Sequence, residues 1–295
     1  MKVALIGLGE VGRCYTRAMI AAGIEFVGAS ETFLSPATQQ LINEAGITVC
    51  SGCGEWLGKA DIVLSAVTGG AALAAARAAF PFMRPGAIYA DFTTASPVDM
   101  RTAAAEAQAL GLRFVDVAIM GGITLSGAKT PLLCAGAGAA SLGEALAPLH
   151  AEIRVLADGE PGDAVTLKLL RSIFMKGLEA LAVETLTLAE SAGLKAKLYE
   201  NLADFDKAPL PEFLDMLVRT HVLHAARRFH EVESAEAQLE TAGFEHRVTT
   251  GVKSLFDRSC QAVDGLSLSP DISVAEALGI LIRSARVAPA STITA

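Results

Sequence analysis

Apolar residues fall into two patterns along this chain, and the change between them divides it. Up to about residue 160 they come in short continuous runs: Val3–Ile6, Phe26–Ser30, Asp61–Val67, Ala87–Asp91 and Phe114–Ile119. Runs this short and this apolar predict strands buried on both faces of a parallel sheet. Between them lie helical stretches, many rich in alanine: Arg13–Ala22, Ala71–Ala79 and Asp99–Ala109. Alternation of strand and helix predicts a doubly wound sheet. From Gly162 onward no buried-strand run appears. Val165–Ala192 predicts a long helix stopped by Gly193, with helices again over Glu212–Phe229, Ser234–Ala242 and Val274–Ala285 and a connecting loop over 203–211. The expected layout is an α/β domain over 1–161 and an all-α domain over 162–295, joined by the long interdomain helix.

The first turn of the first domain carries its chemistry. Val3–Ile6 runs directly into Gly7-Leu8-Gly9-Glu10-Val11-Gly12, a G-x-G-x-x-G between a strand and a helix. Gly7 permits the tight turn, Gly9 the approach of a pyrophosphate, and Gly12 close packing of helix on strand. The helix N-terminus adds free N–H groups and a positive dipole end for the phosphates. This context predicts a dinucleotide-binding Rossmann domain with residues 7–12 as the phosphate turn. Glu31 ends the second strand, at the distance where an acidic residue bonds the adenine ribose and repels a 2′-phosphate. NAD is therefore favoured over NADP. In the other reading Glu31 is a solvated loop charge and Ser30 or Thr32 meets the ribose.

Composition narrows the partners. Of 295 residues 52% are hydrophobic and 19% charged, so a large core is available, and the net charge of −8 argues against nucleic acid. The longest uncharged stretch, Ile62–Ala76, is too short to span a bilayer, and Lys168, Arg171, Lys176, Glu179 and Glu184 exclude a span in the long helix. With no signal peptide at its start, the chain is expected to be cytoplasmic and free of membrane. Five scattered cysteines make no disulfide framework. Cys50-Ser51-Gly52-Cys53 lacks the second ligand pair a metal needs, so no metal is expected.

Three further segments end expected strands or open the long helix: Asp91–Pro97 (DFTTASP), Asp116–Gly122 (DVAIMGG) and Gly162–Lys168 (GDAVTLK). With the glycine turn, in this order, they resemble the β-hydroxyacid dehydrogenase superfamily, which includes 3-hydroxyisobutyrate and 6-phosphogluconate dehydrogenases. The helical end is similar to a branch with its own C-terminal domain type. The resemblance implies a hydride-transferring oxidoreductase acting on a small hydroxy acid or its keto or aldehyde form, assembled as a homodimer through residues 165–295. It places Thr93 and Thr94 near the nicotinamide, where Thr68 also converges from its strand end. It makes the backbone N–H groups of Gly121 and Gly122 a carboxylate site. Met120 stands where the family usually has serine, Ser172 where it has asparagine, and Met175 where decarboxylating members have glutamate.

Lys168 is the expected acid/base. Oxidising an alcohol by hydride transfer requires a group to take the hydroxyl proton, and a lysine does so when burial or a nearby cation lowers its pKa. Ser172, four residues on, shares its helix face and presents a hydroxyl beside it. His221, His224, Arg227, Arg228, His230 and Glu231 form a second cluster, with His230 loosely matched to a family substrate contact. Either it binds the acidic substrate or it is a solvated helix face. Two other functions stand beside the dehydrogenase: a non-catalytic nucleotide sensor, and an imine reductase, against which the retained Lys168 counts.

Overall fold

The computed structural model describes residues 1–286; residues 287–295 of the expected helical and dimerisation region lie outside the described residues. The chain forms two compact units, Met1–Ile173 and Phe174–Ala295. The first runs β1 (Lys2–Ile6), α1 (Glu10–Ala21), β2 (Glu25–Ser30), α2 (Pro36–Ala45), β3 (Val49–Cys50), β4 (Ile62–Ser65), α3 (Ala72–Ala79), β5 (Ile88–Asp91), α4 (Pro97–Ala109), β6 (Arg113–Ile119), α5 (Ile123–Ser126), β7 (Leu132–Ala135), α6 (Ala139–Leu146) and β8 (Ile153–Val155). It ends in the first turns of α7 (Asp163–Ser191).

The sheet order is β3-β2-β1-β4-β5-β6-β7-β8. Strands β1 to β6 pair in parallel, β7 runs antiparallel to β6, and β8 is parallel to β7. Strand order reverses between β1 and β4. The carboxyl ends of those two strands therefore flank the crevice where ligands of such sheets bind. The unbroken apolar run of β1 follows from coverage on both faces. Val3 and Leu5 pack with Tyr15 and Met19 of α1, while Ala4 and Ile6 pack with Ala76 and Phe80 on the other face. Serine caps followed by proline start two of the helices: Ser35 Oγ accepts the Thr38 N–H before α2, and Ser96 Oγ accepts the Asp99 N–H before α4.

The expected α/β class with a doubly wound sheet holds, with corrections at the edges. Helix α1 starts at Glu10, earlier than the expected Arg13, because Gly9 is its N-cap. Strands β3, β7 and β8 were not anticipated. β3 and β8, two and three residues long, carry too little pattern to stand out from a loop, and the apolar run of β7 merges into the small-residue stretch Gly136–Ala140.

The second unit is helical: the rest of α7, then α8 (Lys195–Asn201), α9 (Leu210–Thr241), α10 (Arg247–Val263) and α11 (Val274–Ala285). Gly193, at φ +67°, follows α7 as expected. The stretch expected as a loop over 203–211 is a 3-10 helix at Ala203–Lys207 before α9 begins. The two helices expected over 212–242 are one, interrupted at His224, whose φ of −124° and ψ of 18° leave the helical range. Helix α10 was not anticipated. Val222, Ile272, Ala277 and Ile280 centre this unit's core, and Ser273 with Glu276 forms a capping box at the start of α11. Among the described residues no helix is long and apolar enough to cross a membrane.

Candidate functional site

The glycine turn has the geometry its spacing requires. Gly7 sits at φ +92°, and a Cβ there would lie 2.8 Å from the Ala66 carbonyl at the end of β4. A Cβ on Gly12 would lie 1.9 Å from the Gly7 carbonyl. At Gly9 a Cβ would meet nothing within 4 Å. The turn is thus closed against the sheet at Gly7 and Gly12 and open at Gly9. Glu10 and Val11 form the first turn of α1, whose N–H groups have no acceptor within the helix. Leu8 is fully buried and its carbonyl accepts from Arg13 Nη1 (2.9 Å) and Thr38 Oγ1 (3.2 Å).

Glu31 reaches this turn. Its Oε2 accepts the Leu8 N–H at 2.7 Å, and its Oε1 accepts those of Thr32 and Phe33 at 2.8 and 3.1 Å. One carboxylate therefore ties the end of β2 to the glycine turn, a structural task its spacing did not reveal.

The ends of β4, β5 and β6 supply the next group. Thr68 is exposed just beyond β4. A Cβ on the adjacent Gly69 would lie 2.8 Å from the Thr94 carbonyl, so the loops after β4 and β5 run in contact. Asp91 Oδ1 accepts the Thr93 N–H at 2.8 Å, and Thr93 Oγ1 accepts the Ala95 N–H at 3.1 Å. Both side chains are buried, and they shape the turn that leaves Thr94 exposed. Burial pushes the Asp91 carboxyl up to about 6, against the hydrogen bonds from Thr93, with a further upward push from Asp116. Met120 is half-buried against Ala118, Leu133, Ala135 and Ala164, and its N–H donates to the Pro131 carbonyl. Gly121 and Gly122 are exposed at the end of β6.

Lys168 stands on α7 with Nζ donating to Thr94 Oγ1 at 3.0 Å, across 74 positions of sequence. It is half-buried. Burial lowers its pKa below the ordinary lysine value, while the negative charge of Asp116 pulls the other way. Ser172 is exposed one turn further along α7. The fold thus brings Lys168 and Thr94 together. It also gives a structural task to an acid whose type and spacing predict none. Asp116 is fully buried, and its Oδ2 accepts the N–H groups of Gly162 and Val165 at 2.9 and 3.0 Å. A lone acid in the otherwise apolar strand FVDVAI was the available sign.

The cluster on α9 resolves into local pairs. His221 Nε2 lies 2.8 Å from Ser259 Oγ on α10. That hydroxyl already donates to the Leu255 carbonyl, so the imidazole is the donor. Burial and then Arg228 lower the His221 pKa, and the ring packs edge-on to Phe256. Arg227 pairs with Glu231, and His230 Nδ1 lies 3.0 Å from Glu233. His230 is exposed. Among the described residues no group of His, Cys, Asp and Glu is placed to hold a metal ion, and all five cysteines are free.

The model of the NAD-binding domain of 6-phosphogluconate dehydrogenase matches residues 2–153, and a domain of unknown function matches residues 189–259. A conserved protein of unknown function, described as structurally similar to 3-hydroxyacid dehydrogenases, is 32% identical; the match covers 88% of this chain and 97% of that one, with a TM-score of 0.62. Two others share the fold at lower identity. A 3-hydroxyisobutyrate dehydrogenase of Mycobacterium tuberculosis, solved with L-serine, is 18% identical over 95% of this chain and 98% of its own, with a TM-score of 0.60. An imine reductase of Bacillus cereus is 15% identical over 96% and 98%, with a TM-score of 0.73. The chain belongs to the β-hydroxyacid dehydrogenase superfamily of nicotinamide-dependent oxidoreductases, with an NAD-binding domain of the 6-phosphogluconate dehydrogenase type.

Proposed function

We propose that this chain transfers hydride between a nicotinamide dinucleotide, NAD in preference to NADP, and a small hydroxy acid or its keto or aldehyde form, without decarboxylation. The observation that carries the reading is Lys168, half-buried, depressed in pKa and held by Thr94 at the strand ends beyond the glycine turn. The dinucleotide fits the residues present, because the open space at Gly9 lies in front of the first turn of α1 while Gly7 and Gly12 close the turn behind it. Gly7–Gly12 hold the pyrophosphate, Glu31 the adenine ribose, and Thr68, Thr93 and Thr94 border the nicotinamide end. When bound, the nicotinamide takes or gives a hydride at C4. Lys168 takes the hydroxyl proton in oxidation and returns it to the carbonyl oxygen in reduction. Its lowered pKa raises the neutral fraction that oxidation needs. Thr94 orients the amine, Ser172 presents a hydroxyl beside it, and the N–H groups of Gly121 and Gly122, next to Met120, receive the substrate carboxylate. Turnover of NADH with a panel of small keto acids and aldehydes tests this reading; NADH binding without turnover, unaffected by Lys168→Ala, would favour the sensor instead. Turnover of cyclic imines but not of keto acids would favour an imine reductase.

The cofactor preference is tested by titrating NADH and NADPH. NADH should bind several-fold more tightly, since Glu31 repels a 2′-phosphate; tighter NADPH binding refutes the assignment. Glu31→Arg should move preference toward NADPH. It should also weaken NADH, because three backbone N–H groups lose their acceptor.

We further propose a homodimer formed mainly through residues 165–295. Along α7, Ile173 is 70% exposed and Val183 63%, with Leu170, Phe174, Leu178 and Leu181 also open to solvent. Apolar side chains at this density ask for a partner surface. Light scattering at micromolar concentration should give twice the 30.5 kDa chain mass, and the monomer mass would end the proposal.

A further inference from the structure

We propose that Asp116 is a positioning residue for Lys168: its side chain clamps the first turn of α7 onto β6 and so sets the lysine against Thr94. The inference rests on the reading of Lys168 as the acid/base. Helix α7 cannot cap itself. The residue before it, Gly162, has no side chain and sits at φ +101°. A Cβ there would come within 2.9 Å of both the Pro97 carbonyl and Arg101 Nη1. An acceptor for the first-turn N–H groups must therefore come from elsewhere. Asp116 supplies it from the sheet, with one oxygen taking the N–H groups of Gly162 and Val165. Its charge also lies at the positive end of the helix. Lys168 follows Val165 by three residues, on the same helix face. A slip of α7 by one residue would turn that face by about 100° and carry the amine away from Thr94.

The clamp also sets the charge around the lysine. Asp116 is register partner of Asp91 on β5 and neighbours Cys134 on β7 and Asp163 on α7, with Arg101 of α4 beside Gly162. Its Oδ1 is buried with no partner among the described residues. Burial raises its own carboxyl pKa, and the hydrogen bonds from α7 hold the rise back. Ionised, it favours the protonated lysine.

Two substitutions separate the clamp from the charge. Asp116→Asn keeps an acceptor oxygen for the two N–H groups and puts its amide where the unpartnered oxygen lies. Asp116→Ala removes both. The readout needs neither substrate nor cofactor. Lysines are reductively methylated with ¹³C-formaldehyde, and the Lys168 resonance is identified as the one absent from Lys168→Arg. In Asp116→Asn the protein should keep its Tm and its NADH affinity, and the Lys168 resonance should titrate at lower pH than in the wild type. In Asp116→Ala the Tm should fall by at least ~2 °C. Hydrogen exchange at Val165 should also quicken, and Asn at the position should restore both. Val165 exchange and Tm unchanged in Asp116→Ala overturn the clamp, and a Lys168 titration unchanged in Asp116→Asn overturns the charge effect. Loss of turnover in Lys168→Ala is a separate result, so failure of the acid/base reading would not be mistaken for failure of the clamp.

Discussion

Lys168→Ala should lose at least about 10²-fold in kcat for NADH-dependent reduction of the accepted substrate, the usual range for removing a general acid or base. NADH affinity should hardly change, because the glycine turn at Gly7–Gly12, where we place the phosphates, is built without α7. Lys168→Arg should be nearly as damaging: guanidinium keeps its proton at neutral pH, and its planar fork does not reproduce one amine donating to Thr94. The pH profile gives an independent check. Burial lowers the lysine pKa, so the rate of the oxidative direction should rise with pH along a limb below the ordinary lysine range. Lys168→Ala should abolish that limb. Steady-state kcat and KM across pH, beside fluorescence titration with NADH, measure all of this. Near wild-type kcat in Lys168→Ala would remove the lysine from the chemistry and leave the proton to another group.

The second large effect belongs to Gly12. An alanine inside a helix ordinarily stabilises it by about 1 kcal/mol relative to glycine. Here the added methyl would sit 1.9 Å from the Gly7 carbonyl and 3.1 Å from Leu5 Cδ2. The first of these neighbours is backbone and cannot rotate aside. Forcing atoms into a packed interior costs about 1–3 kcal/mol and occasionally more, so the clash outweighs the propensity gain. Gly12→Ala should lower Tm by several degrees and weaken NADH by at least about tenfold, as α1 lifts from β1 and the turn opens. Gly9→Ala is the contrast. Its Cβ would meet nothing within 4 Å, and its φ of −63° suits any residue. It should keep the wild-type Tm yet weaken NADH, because the methyl would fill the open space where we place the pyrophosphate. Thermal unfolding and NADH titration of the two variants decide the matter. A Gly12→Ala protein with wild-type Tm and affinity would show that the close approach is not needed.

How much of this could be read from the sequence follows from how local each determinant is. The glycine turn was legible because its constraints act within six residues: one positive φ, one open position and one close approach. The longer strands were legible because burial on both faces leaves an unbroken apolar run. The edge strands β3 and β8 were not, since two or three residues carry no period, nor was β7, whose apolar run merges into the small-residue stretch Gly136–Ala140. The continuity of α9 across residues 230–233 was hidden because that stretch, His-Glu-Val-Glu, is too polar to carry an apolar helical period.

By itself the sequence determined the class of the fold, the strand-turn-helix at residues 7–12 and the four segments that mark the family, all of them carried by residues near in the chain. Tertiary structure alone decided which distant groups meet. Thr94 and Lys168 lie 74 positions apart, and Asp116 lies 46 positions from Gly162. It also turned the His221–Glu231 stretch into separate surface and packing pairs, by bringing Ser259 and Phe256 of α10 against His221. Glu31 shows the division within one residue. Its spacing marked a ribose contact, but its three backbone N–H partners depend on the end of β2 coming up against the glycine turn, and that placement is made by the sheet. The physical reason is common to all three cases. A residue type states what a side chain is able to bond, and only the packing of sheet and helices supplies the neighbour at hydrogen-bond distance.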